Sequence, residues 1–119
     1  MSKLRLAVVG SREWTDAHFI TEYLNSFPED ITLVSGGARG VDKIAETYAK
    51  DRGWETLIIL ADWSQGKGAG FARNADIIAN ADVVVAFWDG SSKGTKNTID
   101  RALSAKNIQK LVIFKSGDF

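Results

Sequence analysis

The run Leu33-Val34-Ser35-Gly36-Gly37-Ala38-Arg39-Gly40-Val41-Asp42 decides the fold of this 119-residue chain. A short apolar segment breaks at Ser35 into a glycine-rich stretch, and a helical pattern opens at Val41. Val41, Ile44, Ala45, Tyr48 and Ala49 repeat at i, i+3, i+4, i+7 and i+8, the stripe of an amphipathic helix, and Gly53 stands where that helix should stop. Glycines let backbone approach a ligand closely. The free N–H groups of the following helical turn point at whatever occupies the loop. Arg39 adds a planar, permanently charged fork suited to phosphate. Strand, loop and helix therefore outline an anion cradle built from Ser35, Gly36, Gly37, Arg39 and Gly40.

Working outward, apolar runs of strand length recur at Leu4 to Val9, Ile31 to Val34, Thr56 to Leu60, Val83 to Trp88 and Leu111 to Phe114. They are β-branched and nearly continuous, as strands covered on both faces are. Helical patterns lie between them, marked by Phe19, Ile20, Tyr23, Leu24 and Phe27, then by Phe71, Ala75, Ile78 and Ala79, and by Ile99, Ala102 and Leu103. Thr15 or Asp16 is placed to cap the first helix, and Pro28 follows its end. Strict alternation of strand and helix predicts one small, doubly wound, Rossmann-like α/β domain over residues 1–119, a parallel sheet with helices on both faces. Right-handed crossovers then put every strand-to-helix loop on one edge of the sheet, where ligands bind in such folds.

Those loops carry the candidate site. Gly10, Ser11 and Arg12 follow the first strand, with Trp14 behind them. Asp89 to Thr95 forms a second glycine-hydroxyl loop in which Ser92, Lys93, Gly94 and Thr95 suit phosphate. The longest connection, Ala61 to Asn74, offers Trp63 as a base-stacking lid, with Lys67 and Arg73 as countercharges and Asn74 beside them. Arg73-Asn74 at a helix start is a mild misfit with the helix dipole, which hints at a role other than stability. Trp54 and Trp88 read as structural, and His18 as a surface or half-buried residue. The loop at Ser35 is neither a G-x-G-x-x-G fingerprint nor a Walker loop, so a classical dinucleotide site and a nucleotide triphosphatase are disfavoured.

Composition narrows the classes further. Fifteen basic residues balance fifteen acidic ones, so any anion specificity must be local, and the whole-chain charge gives no reason to expect nucleic acid or membrane. No cysteine is present, which removes disulfides, thiolate metal sites and a cysteine nucleophile. No apolar run reaches membrane-span length, and the N-terminus lacks a signal-peptide pattern. A cytoplasmic protein with no metal and no cofactor is the expectation.

Taken together, Gly10-Ser11-Arg12, Leu33 to Asp42, Ala61-Asp62-Trp63, Gly68 to Asn74, and Ala81-Asp82 to Phe87 followed by Ser92-Lys93-Gly94-Thr95 resemble the SLOG superfamily, most closely its YspA-type branch. The superfamily also holds DNA-processing protein A and the Lonely guy phosphoribohydrolases. Membership implies a binder or processor of nucleotides and nucleotide-derived ligands. The phosphoribohydrolases carry a catalytic glutamate three residues beyond their Gly-Thr pair, and here Thr98 occupies that place. Asp42 and Asp89 are the candidate substitutes, although a carboxylate at Asp42 also suits the first turn of a helix.

The leading expectation is a domain that binds an ADP-ribose-like or NAD-like small molecule, as a sensor or a sequestering protein. An N-glycosidic hydrolase is the first alternative and a single-stranded nucleic-acid module the second. Nucleic acid is disfavoured as a partner because the net charge is zero, and self-association is permitted.

Overall fold

The computed structural model describes residues 3–116. Five strands and four helices alternate along the chain. They are β1 (Leu4–Gly10), α1 (Ala17–Leu24), β2 (Ile31–Ser35), α2 (Val41–Arg52), β3 (Glu55–Ile58), α3 (Ala69–Ala79), β4 (Val83–Trp88), α4 (Lys93–Ser104) and β5 (Lys110–Lys115). A 3-10 turn, Trp63–Gln65, precedes α3. Every strand pair is parallel and the sheet order is β3-β2-β1-β4-β5. This is the doubly wound Rossmann-like arrangement that the alternation predicts.

Side-chain alternation along the strands separates two cores. Leu6, Val8, Leu33, Val85 and Phe87 face one way and pack under Ile20 and Leu24 of α1 and Val41, Ala45 and Ala49 of α2. Ala7, Val9, Val34, Val84 and Ala86 face the other way, against Ile77 and Ile78 of α3 and Ile99 and Ala102 of α4. Rings fill the first layer: Phe87 stacks on Phe114 at 5.3 Å between centroids, and Tyr23 meets Phe114 edge-on at 4.8 Å. Trp14 and Trp54 are buried there, and Trp88 packs in the second layer.

Element boundaries differ from the sequence expectation where local chemistry overrides apolar spacing. Asp16, not Thr15, caps α1 through Oδ1, which accepts the Phe19 N–H at 3.0 Å. That helix stops at Leu24 and turns through Ser26, so Phe27 reaches the core from outside it. Helix α3 starts at Ala69, which moves Arg73 out of the first turn and removes its expected conflict with the dipole. Gly53 ends α2 in the left-handed region at φ 79°. Among the described residues, no helix is long and apolar enough to cross a membrane.

The chain reverses its direction of winding between β1 and β4. Their carboxyl ends, Gly10 and Trp88, send loops to opposite sides, and a crevice opens at this switch point.

Candidate functional site

A cleft of about 450 Å³ occupies that crevice. Loop 1, between β1 and α1, contributes Arg12 beside Gly10 at the end of β1; the segment before α4 contributes Asp89 and Ser92, and the first turn of α4 contributes Gly94 and Thr95. Asp42 comes from α2, Trp63 from the 3-10 turn, and Arg73 and Asn74 from α3. These ten sequence-expected residues are thus brought together from loop 1, α2, the 3-10 turn, α3 and the start of α4. Further lining comes from Glu13, Ala38, Lys67, Phe71, Ile77 and Thr98. Of these, Phe71 and Ile77 share one face of α3 with Arg73 and Asn74, a pattern readable at i, i+2, i+3 and i+6 once that face is known to look into the cleft.

The remaining expected residues have other surroundings. Ser11 is fully buried, and its Oγ accepts the Asp89 N–H at 3.0 Å, tying loop 1 to the start of the α4 loop. Ser35 is also fully buried and donates from Oγ to Glu46 Oε2 at 2.6 Å. Gly40, at φ 80°, brings its backbone against loop 1; a Cβ there would sit 2.6 Å from the Arg12 carbonyl oxygen and 2.7 Å from that of Ser11. Arg39 is exposed and bridges to Glu13 at 3.1 Å, linking loops 1 and 2 outside the cleft. Lys93 is exposed at the first turn of α4.

Loop 2 spends part of its donor set on the chain itself. The Gly37 N–H reaches Ser35 Oγ at 3.4 Å, and the Ala38 N–H reaches Asp42 Oδ2 at 3.2 Å. Gly36 is the contact point with α3. Arg73 Nη1 donates to its carbonyl oxygen at 2.6 Å, and Arg73 Nε donates to Asn74 Oδ1 at 3.1 Å. Asn74, buried, donates onward to the Gly94 carbonyl oxygen at 3.2 Å and to Asn97 Oδ1 at 3.3 Å. One network therefore fixes a guanidinium at the cleft floor and joins loop 2, α3 and α4.

The two candidate carboxylates have opposite electrostatics. Burial pushes the Asp42 carboxyl up to about 6, partly offset by the Ala38 N–H and by the nearby Arg73 charge. Asp89 is held below the usual carboxylate range by the N–H groups of Ser91 and Ser92, whose bonds to Oδ1 are 2.9 and 2.8 Å. Asp89 is thus a loop-shaping anion with no proton to donate near neutrality, while Asp42 takes one up in mildly acidic solution, below about 6. Asp62 is also held low, mainly by Ser64, and caps the 3-10 turn that presents Trp63.

At the mouth, Trp63 is 60% exposed and Phe71 47% exposed. Large exposed rings beside a cationic floor are suited to base stacking. Among the described residues no group of histidines and carboxylates is placed to hold a metal ion.

Residues 4–66 match the model of the "YspA, cpYpsA-related SLOG family". The chain is 37% identical over 112 residues to the Gene 61 protein of Mycobacterium phage D29, spanning 85% of this chain and 90% of the relative. Among solved structures it is similar to DNA processing protein A from Streptococcus pneumoniae, with a TM-score of 0.75 and 21% identity over 86% of this chain and 47% of that one. DNA processing protein A from Helicobacter pylori gives a TM-score of 0.74 and 23% identity over 94% of this chain and 65% of that one. The chain therefore spans about half to two thirds of those two proteins, and at such identities the likeness is one of fold.

The Helicobacter protein is described by its single-stranded DNA binding mode. That finding overturns the expectation that nucleic acid is disfavoured as a partner: a zero net charge was its only basis, and a protein on this fold binds a strand. With the family model covering more than half of its length and a relative 37% identical over 85% of it, the chain belongs to the YspA, cpYpsA-related SLOG family.

Proposed function

We propose that the cleft binds nucleotide units and that it takes them from single-stranded nucleic acid, in a cytoplasmic setting. The observation that carries this reading is the pairing of exposed Trp63 and Phe71 at the mouth with the fixed Arg73 guanidinium at the floor. Stacking on aromatic rings is tolerant of base identity, and a guanidinium takes phosphate without regard to sequence. Arg12 and Lys67 are exposed on the cleft lining, where they would meet neighbouring phosphates of a strand. Kinship of fold with a single-strand binder supports the same reading.

A second reading is favoured by the size of the cleft. A volume of about 450 Å³ lies in the range of ordinary small-ligand pockets, which suits a free nucleotide-derived molecule of the ADP-ribose or NAD type. Cleavage of an N-glycosidic bond would then fall to Asp42, the candidate carboxylate whose protonation, at about 6, lies nearer to neutrality.

Fluorescence anisotropy of a labelled single-stranded oligonucleotide, with unlabelled ADP-ribose as competitor, separates these readings. Strand binding that weakens steeply between 50 and 200 mM salt, as about 10³-fold losses do for multi-phosphate contacts, supports the first. Competition by ADP-ribose at concentrations well below those of the strand supports the second. Absence of binding by either ligand refutes both.

A further inference from the structure

Two opposite charges flank Gly36. Arg73 Nη1 and Asp42 Oδ2 lie 2.6 and 3.1 Å from the point where a Cβ on that glycine would sit. Both side chains line the cleft, and Asp42 is only 6% exposed. An anion that reaches Arg73 from the cleft therefore also comes up against the Asp42 carboxylate. The wider lining carries both signs in equal number, Arg12, Lys67 and Arg73 with Glu13, Asp42 and Asp89, and Glu13 is itself bridged to Arg39. Behind Asp42 on its own helix stands Glu46, which Lys43 offsets at 3.4 Å. The chain's one histidine, His18, is exposed on α1 beside Glu22 and takes no part.

Resting on the nucleotide reading above, we propose that Asp42 makes this cleft selective for phosphodiester groups over terminal phosphate monoesters. The physical reason is a competition between two dependences on ligand charge. Attraction to a lining grows in proportion to the charge of the ligand, but here the three cations and three carboxylates cancel most of it. The penalty for desolvating an ion grows with the square of its charge. A phosphodiester carries one negative charge, whereas a monoester carries roughly 1.5 to 2 at neutral pH. On a balanced lining the desolvation penalty decides, and the singly charged group wins. Neutralising Asp42 leaves the lining one positive charge in excess and returns the advantage to the more highly charged ligand. Burial puts Asp42 at about 6, so acidification neutralises it without mutation, while bringing the monoester itself toward a single charge.

Calorimetric titration of adenosine 5′-monophosphate and of its methyl phosphodiester, at pH 8 and pH 5, tests this. Wild-type protein at pH 8 is expected to bind the diester about tenfold tighter, the scale of one charge about 4 Å away screened nearly as in water. Asp42→Asn should bind both probes more tightly at pH 8 and lose that preference. The diester has no titrating group in this range, so its affinity for wild-type protein should rise about tenfold from pH 8 to pH 5, and stay level for the variant. This second measurement stands whether or not the variant folds. Equal or tighter binding of the monoester to wild-type protein at pH 8 overturns the inference, as does a folded variant that keeps the wild-type preference. Binding of both probes without discrimination removes the inference and leaves the nucleotide reading intact, whereas binding of neither removes both.

Discussion

Arg73 Nη1 donates to the Gly36 carbonyl oxygen at 2.6 Å across 37 residues of sequence, so the cation at the cleft floor is held by backbone from the opposite loop. The missing side chain of Gly36 is what permits the approach, since a Cβ there would stand 2.6 Å from Nη1 and 2.9 Å from Cζ.

Gly36→Ala should therefore act on function more than on stability. Gly36 is outside the set of positive-φ glycines, so an alanine meets no backbone strain, and the obstructing atoms are the far end of a flexible side chain. We expect a stability change within about 1 kcal/mol by urea denaturation and a loss of about tenfold in nucleotide affinity as the guanidinium is displaced. Unchanged affinity in the folded variant would show that Arg73 does not contact the ligand.

Gly40→Ala should do the reverse. Its φ of 80° disfavours any L side chain, and the neighbours of the new Cβ are backbone atoms of Ser11 and Arg12, which cannot swing away. Strain and overpacking together predict a loss of about 2–4 kcal/mol, read from the urea midpoint. A loss under about 0.5 kcal/mol would mean that loops 1 and 2 are not packed as described.

These two glycines illustrate what the sequence discloses. That both belong to a strand-loop-helix turn on the ligand edge is legible, because continuous β-branched runs alternate with helical stripes and fix the parallel sheet. Their separate tasks are not, since one admits an arginine from α3 and the other admits loop 1, and each partner is remote in sequence. The same limit applies to hydroxyls: Ser11 and Ser35 sit in glycine-rich loops just as Ser92 does, yet the first two are buried struts to Asp89 and Glu46. Thr98 and Ile77 line the cleft from helix interiors, where only the helical register relative to the sheet turns them inward.

Trp63→Ala addresses the mouth. With Trp63 at 60% exposure, its loss should alter stability by about 0.5 kcal/mol or less. Strand or nucleotide affinity should fall by about 1–3 kcal/mol, the usual worth of a base-aromatic stack, while Trp63→Phe retains most of it. Fluorescence quenching of wild-type protein on ligand addition offers a parallel readout. A Trp63→Ala variant with full affinity would move base recognition away from this ring.

Asp42 makes stability depend on pH in a direction opposite to that of an ordinary paired carboxylate. Its carboxyl goes from 3.8 unfolded to about 6 folded, so between those values the folded state holds more protons than the unfolded state. Stability therefore falls as pH rises through this window, and the penalty is complete above it. The size is about 3 kcal/mol if the whole shift is expressed. Asp42→Asn keeps an acceptor for the Ala38 N–H and removes the buried charge. Urea denaturation at pH 8 should find the variant about 1–3 kcal/mol more stable than wild type, with the gap closing toward pH 4. A constant difference across that range would mean that Asp42 does not titrate in the window, and with it would go the acid-enhanced binding expected of the cleft.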